Sequence, residues 1–453
     1  MRRHLAGMLY FKVPKTTADM QQVSASPWPI GRLIGFRFFF IYLLLVFNPL
    51  EYLTIIPGMQ DPVMWLLKPL IWLTEQLNKH WLHIADPLVM PAGSGDTSFG
   101  WANLTLNLLL AIAGTVVWTL IARRRQHPHL YYWLCVYMRY VLALISFSYG
   151  FQKLFALQMP FPNMSQLATP LGDFLPMRLS WMFIGYSAPY QIFSGIAEIL
   201  VGALLMWRRT ATLGLVLGVG VFANVAMLNL SYDIPVKIYS LHLLLVCLFL
   251  SWQERHRLLA FFVLNQAAPP SSLFQRSFSS RWGRIGRVVA KVVFLIVSVG
   301  VMNISTISYY QEVKAASTRA LPPVKPGVYH VALQVKNGDT LQFNPMDTLQ
   351  WKEFIFDYDG VGSIQTVDTL FRQRYRRGYF AYKPDSTGKQ IAFYKRGSDT
   401  SALFTLQLQQ PDSLTMVLSG RVRTDSVWLL LKRMPRHFQL AERQFHWLSE
   451  DNR

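Results

Sequence analysis

The chain has 453 residues, of which 52% are hydrophobic, 14% aromatic and only 15% charged. Soluble proteins carry about 25% charged residues, so this composition is typical of a membrane protein joined to a smaller soluble part. It excludes a disordered chain, a collagen and a disulfide-rich scaffold. The formal net charge is +20, from 44 Lys and Arg against 24 Asp and Glu. Most of the basic residues stand in short tracts beside apolar runs, which indicates membrane topology and not nucleic acid as a partner.

Seven apolar runs approach the roughly 20 residues that a membrane-spanning helix needs. In chain order they are Gly31–Phe47, Trp101–Ala122, Tyr131–Phe155, Ala188–Trp207, Thr210–Leu230, Val236–Trp252 and Val288–Tyr309. Between the first two, Val63–Ile84 combines Trp65, Trp72 and Trp81 with charged residues and a proline. That mixture predicts an interfacial helix and not a further span.

The N-terminal segment, residues 1–30, is polar and interrupted by prolines. It lacks the apolar core and the small-residue cleavage site of a secretory signal peptide. The two cysteines, Cys135 and Cys247, lie in apolar runs and outside any Cys-x-x-Cys motif. We therefore expect small apolar residues in helices and no zinc site, redox dithiol or disulfide.

Basic tracts predict the orientation of the spans. They precede the first run and follow the second, fourth and sixth runs: Arg2, Arg3, Lys12 and Lys15; Arg123, Arg124 and Arg125; Arg208 and Arg209; and the loop 254–287. With seven spans, all of these tracts fall on one side, which the positive-inside rule makes cytoplasmic. We expect a multi-pass protein of a bacterial inner membrane, with its N-terminus cytoplasmic and its C-terminal part periplasmic.

The pattern changes after the last span. A Pro-rich linker, residues 311–327, leads into residues 328–453, where apolar and polar residues alternate between turn signals, as in Phe404, Leu406 and Leu408. About eight short strands predict a small antiparallel all-β domain, either a barrel or a sandwich. No helix of core length is evident in this part, although the stretch Thr366–Arg377 is ambiguous between helix and strand. A Trp early in a meander of about eight strands resembles the pattern of a lipocalin-like barrel. We nevertheless expect a packed interior and not a ligand cavity.

Glu198 is near the middle of its predicted span, too far from either surface for a short carboxylate to reach water. Gln191, Gly195, Glu198 and Gly202 recur at helical spacing and share one face. Glycines beside a carboxylate allow a neighbouring helix to approach and supply a partner.

We expect either Lys153 or Lys237 to neutralise Glu198, within a polar cluster in the outer half of the helical bundle. The candidate ligand-binding residues are Lys153, Glu198, Asn224, Asn229, Asp233, Lys237 and His242. An ion pair that only fixes helix register and a ligand- or proton-handling site remain open as alternatives. His242 has no second histidine at i+3 or i+4, so a hydrogen-bonding role is favoured over haem or metal ligation.

The stretch from Arg139 to about Leu245 resembles the DoxX family of four-helix membrane proteins. The matching segments are Gly150-Phe151-Gln152-Lys153-Leu154, Gly195-Ile196-Ala197-Glu198 with Gly202, Arg208-Arg209 with Gly214 and Gly218, Ser231–Lys237 and Ser240–Leu243. The resemblance implies a quinone-linked membrane role, since the family takes its name from a subunit associated with thiosulfate:quinone oxidoreduction and a terminal quinol oxidase. It assigns no catalytic residue. The external β domain departs from the minimal family, and the overall arrangement is also similar to membrane proteins related to vitamin K-dependent carboxylases.

The predicted organisation is a helical membrane protein followed by an all-β domain. It consists of a cytoplasmic segment (1–30), two transmembrane helices with an interfacial helix in the external loop (31–130), a DoxX-like four-helix membrane core (131–253), a basic cytoplasmic loop (254–287), a last transmembrane helix (288–310), the linker (311–327) and a periplasmic β domain (328–453).

Three functions are consistent with these patterns. The first is a quinone- or lipid-associated accessory protein of a membrane redox or envelope system, in contact with the lipid bilayer and with a partner protein. The second is a quinol-dependent oxidoreductase or carboxylase-like enzyme; no dithiol, haem pair or nucleotide-binding glycine motif is evident, which leaves quinone as the candidate cofactor. The third is an envelope interaction protein that acts through its β domain.

Overall fold

The computed structural model describes residues 27–56, 58–122, 124–269, 280–344, 346–397, 401–443 and 445–448. Most of the predicted cytoplasmic segment 1–30, including Arg2, Arg3, Lys12 and Lys15, lies outside these residues. So do Arg123 and part of the basic loop 254–287.

The N-terminal two-thirds of the chain is helical. Its helices are α1 (Ile30–Val46), α2 (Gln60–Leu77), α3 (Ser98–Ile121), α4 (Pro128–Leu154), α5 (Met164–Leu167), α6 (Pro176–Tyr186), α7 (Ala188–Met206), α8 (Ala211–Ser231), α9 (Lys237–Trp252), α10 (Arg255–Phe262) and α11 (Arg281–Ala316). A π-helical turn at Asn78–Leu82 extends α2, and another at Ile296–Val301 lies within α11.

Six helical stretches among the described residues are long and apolar enough to cross a membrane: Ile30–Ile55, Ser98–Ile121, Pro128–Leu154, Ala188–Met206, Ala211–Ser231 and Arg281–Ala316. They correspond to six of the seven predicted spans, and they make the chain a membrane protein with a multi-helix apolar part. The remaining predicted span, Val236–Trp252, is the 16-residue α9. At 1.5 Å per residue it reaches only about 24 Å, short of a hydrocarbon core of about 30 Å.

The described residues form two compact units. The first takes its residues from Met1–Ala143, Leu204–Ala226 and Pro235–Ser279. Here α1 and α2 pack on α3, and Phe36 lies among the rings of Trp118, His127 and Tyr131. The helix expected at Val63–Ile84 is present, with Trp65, Trp72 and Trp81 exposed along it.

The second unit takes its residues from Leu144–Ala203, Met227–Ile234 and Ser280–Arg453. It contains the helices α5 and α6, which the sequence pattern did not predict because they are short and the segments before them are rich in proline. It also contains the strands β1 (Gly327–Lys336), β2 (Asp339–Leu341), β3 (Glu353–Phe356), β4 (Val361–Ile364), β5 (Arg372–Arg374), β6 (Arg377–Pro384), β7 (Gln390–Lys395), β8 (Ala402–Gln409), β9 (Thr415–Val422) and β10 (Asp425–Met434).

The strands form a closed antiparallel barrel. Eight of the described strands follow one another around it in the order β1, β3, β4, β6, β7, β8, β9 and β10, and β10 pairs back onto β1. The short strands β2 and β5 pair beside β1 and β6. Closure removes the free edges that an open sheet would expose, and it decides the predicted alternatives in favour of the barrel.

Aromatic side chains fill the inside of this barrel. Phe354, Phe356, Phe380 and Phe393 are each fully buried there. The ring of Phe393 lies 4.9 Å from that of Phe404, centroid to centroid. Such aromatic contacts and apolar burial stabilise a small barrel from within, in agreement with the expected packed interior.

The ambiguous stretch Thr366–Arg377 contains a turn and β5, and it ends in a tight hairpin between β5 and β6. The two central residues of that hairpin, Tyr375 and Arg376, have φ values of 53° and 52°. Such a turn requires positive φ at both positions and normally contains Asn or Gly. Because Tyr and Arg are not typical of it, the sequence does not predict a turn here.

Candidate functional site

Two glycines bring α4 and α7 close together. A Cβ atom placed on Gly195 would lie 2.6 Å from the carbonyl oxygen of Gly150 and 2.8 Å from the backbone nitrogen of Leu154. A Cβ atom on Gly150 would lie 2.9 Å from the carbonyl oxygen of Gly195. Only residues without a side chain permit this backbone approach, which is how small residues pack membrane helices.

Three residues beyond each glycine, Lys153 of α4 and Glu198 of α7 form a buried ion pair. The Lys153 Nζ lies 2.5 Å from the Glu198 Oε1, and the two side chains are only 10% and 4% exposed. This is one of the two partnerships that the sequence predicted for Glu198. The ammonium also lies 5.8 Å from the centre of the Tyr149 ring, where the π face favours a cation.

The second carboxylate oxygen of Glu198, Oε2, differs from Oε1 in its hydrogen bonding. Oε2 is buried and has no hydrogen-bond partner among the described residues. A buried acceptor without a donor costs about 1–3 kcal/mol, so the site gains stability from any molecule that supplies an O–H or N–H. This atom is the strongest indication of a ligand at the pair.

Gln191 lies on the same face of α7 as Glu198, but its side chain binds the protein backbone. Its Oε1 accepts a hydrogen bond from the backbone N–H of Met159 at 3.0 Å, and its Nε2 donates to the carbonyl of the same residue at 2.8 Å. The side chain is completely buried. It therefore satisfies the backbone of the segment that follows α4.

The remaining candidate residues are divided between the two units. Asn229 is buried and Asp233 follows the end of α8 with a left-handed backbone, both in the second unit. Asn224 is exposed on α8. Lys237 and His242 belong to the first unit and have partners there.

Lys237 begins α9, and the partner of this helix end is Asp96, which the sequence reading did not single out. The Asp96 carboxylate accepts the backbone N–H of Lys237 at 2.7 Å and that of Ile238 at 3.0 Å. Its Oδ2 also lies 3.7 Å from the Lys237 Nζ. An aspartate at this position satisfies unpaired amides and matches the positive end of the helix dipole.

His242 is held by two hydrogen bonds. Its Nδ1 donates to the carbonyl of Ile238 at 2.6 Å, which leaves Nε2 to accept the hydroxyl of Tyr42 at 2.7 Å. The geometry agrees with the hydrogen-bonding role expected for an isolated histidine. Among the described residues, no group of three or more His, Cys, Asp or Glu side chains could hold a metal ion.

A second polar cluster was missed by the sequence reading, because its members are separated by almost 200 residues. Asp357, just after β3, accepts the backbone N–H of Met164 at 3.0 Å and the hydroxyl of Ser165 at 2.5 Å. It thereby connects the barrel to the first turn of α5. Burial raises the pKa of Asp357 above its ordinary value, and the hydrogen bonds from Ser165 and Met164 oppose that rise.

The cluster continues across the barrel as a chain of hydrogen bonds. Ser363 donates its hydroxyl to Ser165 Oγ at 2.9 Å, and the Arg377 Nε donates to Ser363 Oγ at 2.9 Å. Arg377 Nη1 donates to Glu353 at 2.9 Å. Ser165 and Ser363 are fully buried, so this network holds the loop of α5 on the barrel wall.

Comparisons with known proteins assign no function to this arrangement. No family profile and no solved structure matches the chain. The chain is similar to the uncharacterized protein YwoB of Bacillus subtilis (strain 168), with 38% identity over 84 residues, which is 18% of this chain and 54% of that protein. The chain thus spans about half the length of this relative. The resemblance to the DoxX family stays a prediction.

Proposed function

We propose that this membrane protein binds a quinone-like or lipid-like molecule at Lys153 and Glu198, as a DoxX-like accessory protein of a membrane redox or envelope system. The observation that carries the proposal is the buried Oε2 of Glu198, which has no donor among the described residues. A membrane-soluble molecule with a polar head can reach such a site from the bilayer and supply that donor.

The pair offers complementary hydrogen-bonding groups. The Glu198 Oε2 accepts from a hydroxyl, such as that of a quinol or a lipid head. An ammonium has three donors, of which Lys153 directs one to Oε1, so a second can reach a carbonyl oxygen of a quinone. Because the ion pair neutralises both charges, the ligand itself needs no charge to enter the apolar surroundings.

For the orientation we propose a cytoplasmic N-terminus and a periplasmic barrel, in the inner membrane. Opposite sides for the two ends need an odd number of spans, so this proposal includes the 16-residue α9 as a seventh span that crosses a locally thinned bilayer. Support comes from two basic tracts: Arg124 and Arg125 follow the second apolar helix, and Arg208 and Arg209 follow the fourth. If successive helices cross the membrane in opposite directions, both tracts lie on the same side, which the positive-inside rule makes cytoplasmic. The enzyme and the envelope-interaction alternatives stay predictions.

The test compares two variants that each remove one buried carboxylate charge. Glu198→Gln keeps the shape of the side chain but loses the ion pair and one oxygen acceptor. Glu254→Gln is the matched control, since Glu254 is 5% exposed and pairs with Arg257 at 2.8 Å. Both proteins and the wild type would be purified in the same mild detergent, and bound quinones and lipids would be identified by mass spectrometry.

We expect a molecule that is retained by the wild type and by Glu254→Gln but is lost from Glu198→Gln. Equal ligand content in all three folded proteins would overturn the proposal.

A further inference from the structure

A cavity of about 170 Å³ opens in the second unit, where the loop of α5 and α6 meets the barrel. For comparison, a water molecule occupies roughly 30 Å³ in the liquid. The residues around this cavity are mostly cationic or aromatic: Gln166, Arg178, Arg372, Arg374, Tyr375, Tyr379 and Arg396. None of these lining residues is acidic.

The four arginines differ from their neighbours in having no carboxylate at salt-bridge distance, although the buried Asp357 attracts Arg396 from further away. Within the described part of the chain, none of Arg178, Arg372, Arg374 and Arg396 makes an ion pair. Nearby arginines do: Arg376 lies 3.5 Å from Asp173, Arg377 lies 2.9 Å from Glu353, and Arg423 lies 3.2 Å from Asp368. The cavity therefore concentrates positive charge that the surrounding protein neutralises elsewhere.

Aromatic rings hold three of these guanidinium groups in place. The Arg178 Nε donates to the Tyr375 hydroxyl at 3.1 Å, and Arg374 lies over the same ring at 4.8 Å from its centre. Arg396 lies 5.7 Å from the centre of the Tyr379 ring. A guanidinium fixed on a ring keeps its fork of N–H donors free for an oxyanion, which lowers the entropy cost of binding.

The Tyr379 hydroxyl adds a neutral group to the lining. Tyr379 is 5% exposed, and its hydroxyl lies near the side chain of Thr169 but makes no hydrogen bond of normal geometry among the described residues. A buried hydroxyl without a partner is costly, so a ligand oxygen that accepts its proton is favoured. Arginines and an unpaired hydroxyl together match the several oxygens of one phosphate group.

The surroundings of Arg178 on α6 indicate which kind of molecule would bring a phosphate group to the cavity. The apolar side chains of Leu175, just before α6, and of Leu179 and Phe183, within it, flank Arg178 and are 61%, 43% and 70% exposed. The helix is separated by a single residue, Ser187, from α7, which is apolar enough to span a membrane. An exposed apolar face at the end of a span is typical of a helix at the lipid interface, where headgroup phosphates lie.

We propose that this arginine pocket binds a phosphate group, presented by the headgroup of an anionic phospholipid. The pocket is independent of the proposed ligand site at Lys153 and Glu198, and either can fail without the other. A free phosphate ion offers the same oxygens, so the experiment separates the two sources.

The full-length protein in neutral detergent would be titrated with short-chain phosphatidic acid, with short-chain phosphatidylcholine and with inorganic phosphate. Binding would be followed by native mass spectrometry and by calorimetry. We expect phosphatidic acid to bind more tightly than either of the other two. Binding of inorganic phosphate as tight as that of phosphatidic acid would overturn the lipid source, and no binding of either would overturn the pocket itself.

Two variants link binding to these residues. Arg374→Gln combined with Arg396→Gln should weaken binding of phosphatidic acid by roughly tenfold or more for each arginine, because bonds to charged groups are the strong ones. Arg423→Gln removes one charge from the same barrel outside the cavity and should bind as the wild type does.

Gln166→Glu is the second test, in case the arginine variant does not fold. Gln166 forms a capping box with Asn163 at the start of α5, and glutamate serves equally well in that motif. The variant should therefore fold, as its melting temperature would show, while its new carboxylate lowers the positive charge of the pocket and repels the phosphate, which weakens binding. Unchanged binding of phosphatidic acid in both folded variants would overturn the proposal.

Discussion

The Lys153 Nζ lies 2.5 Å from the Glu198 Oε1, three residues beyond the two glycines that bring their helices together. Burying two charges costs several kcal/mol per ion, which close geometry and further hydrogen bonds must offset. Here the geometry is close, but Glu198 Oε2 is left without a donor among the described residues. The pair is therefore incomplete as a purely structural device, and this is why we regard it as a ligand site.

The glycine crossing makes a prediction about stability. Gly195→Ala would place its Cβ 2.6 Å from the Gly150 carbonyl oxygen, so the helices must separate, at a cost of roughly 1–3 kcal/mol. Gly220→Ala on α8 is the control, because nothing lies within 4 Å of its added Cβ. We expect a lower melting temperature in detergent for the first variant only, since alanine favours a helix over glycine by about 0.5–1 kcal/mol. Equal melting temperatures would show that the crossing is not tight.

A second prediction concerns the candidates that have partners of their own. Lys237→Met should leave the amount of co-purified ligand unchanged, because Asp96 and not Glu198 accepts from the backbone at Lys237 and lies beside its ammonium. His242→Phe should do the same, since the imidazole is committed to Ile238 and Tyr42. Ligand content would be measured by mass spectrometry. Loss of the ligand from either folded variant would extend the site beyond Lys153 and Glu198.

The sequence predicted the elements whose signals are local. Apolar runs located most of the long helices within a few residues, although α11 extends seven residues beyond its predicted run at each end. The alternation of Phe404, Leu406 and Leu408 identified a strand of the β domain. The spacing of Gly195 and Glu198 on one helical face predicted a charged partner for Glu198 but left Lys153 and Lys237 as alternatives; in the structure the partner is Lys153. These features depend on periodicities of 3.6 and 2 residues, which a single sequence displays directly.

Long-range features were missed. Asp357 and Ser165 are far apart in the sequence, and neither is unusual in its local context. The arginine pocket depends on a hairpin in which Tyr375 and Arg376 adopt positive φ without the usual Asn or Gly. Asn224 was grouped with the polar cluster, yet it is exposed on α8, because residue type alone does not tell which face of an all-apolar helix is buried.

The contact between Ser165 and Asp357 predicts how the barrel is held. Ser165→Ala removes the donor at 2.5 Å from a buried carboxylate and should weaken this contact by about 1–3 kcal/mol. We expect faster hydrogen exchange and faster proteolysis across Asn163–Thr169. Thr387→Ala, which removes a hydroxyl from an exposed turn of the barrel, should leave exchange in this loop unchanged. Unaltered exchange in Ser165→Ala would show that other contacts hold the loop.

Opposite pH dependences are predicted for two aspartates of the barrel. Burial raises the pKa of Asp357 above the ordinary 3.8, so its contribution to stability is complete below pH 3.8 and declines as the pH rises through the folded-state pKa. The hydrogen bonds from Lys336 and Asn337 lower the pKa of Asp425, so its contribution is lost as the pH falls from 3.8 through the folded-state pKa.

The melting temperatures of the wild type, Asp357→Asn and Asp425→Asn would be measured across the acid range. As the pH rises, the advantage of the wild type over Asp357→Asn should decline, and its advantage over Asp425→Asn should grow. The reverse trend for Asp357 would mean that its hydrogen bonds outweigh its burial.

The central claim, that Lys153 and Glu198 bind a ligand and do not only fasten two helices, is tested most directly by replacing both. A buried ion pair can often be exchanged for apolar residues of similar size without loss of stability. The double variant Lys153→Met with Glu198→Leu should therefore fold with a melting temperature near that of the wild type. Mass spectrometry of the purified proteins should then find the quinone or lipid in the wild type and not in the double variant. Equal amounts of the same molecule in both folded proteins would contradict the claim and leave the pair a structural contact.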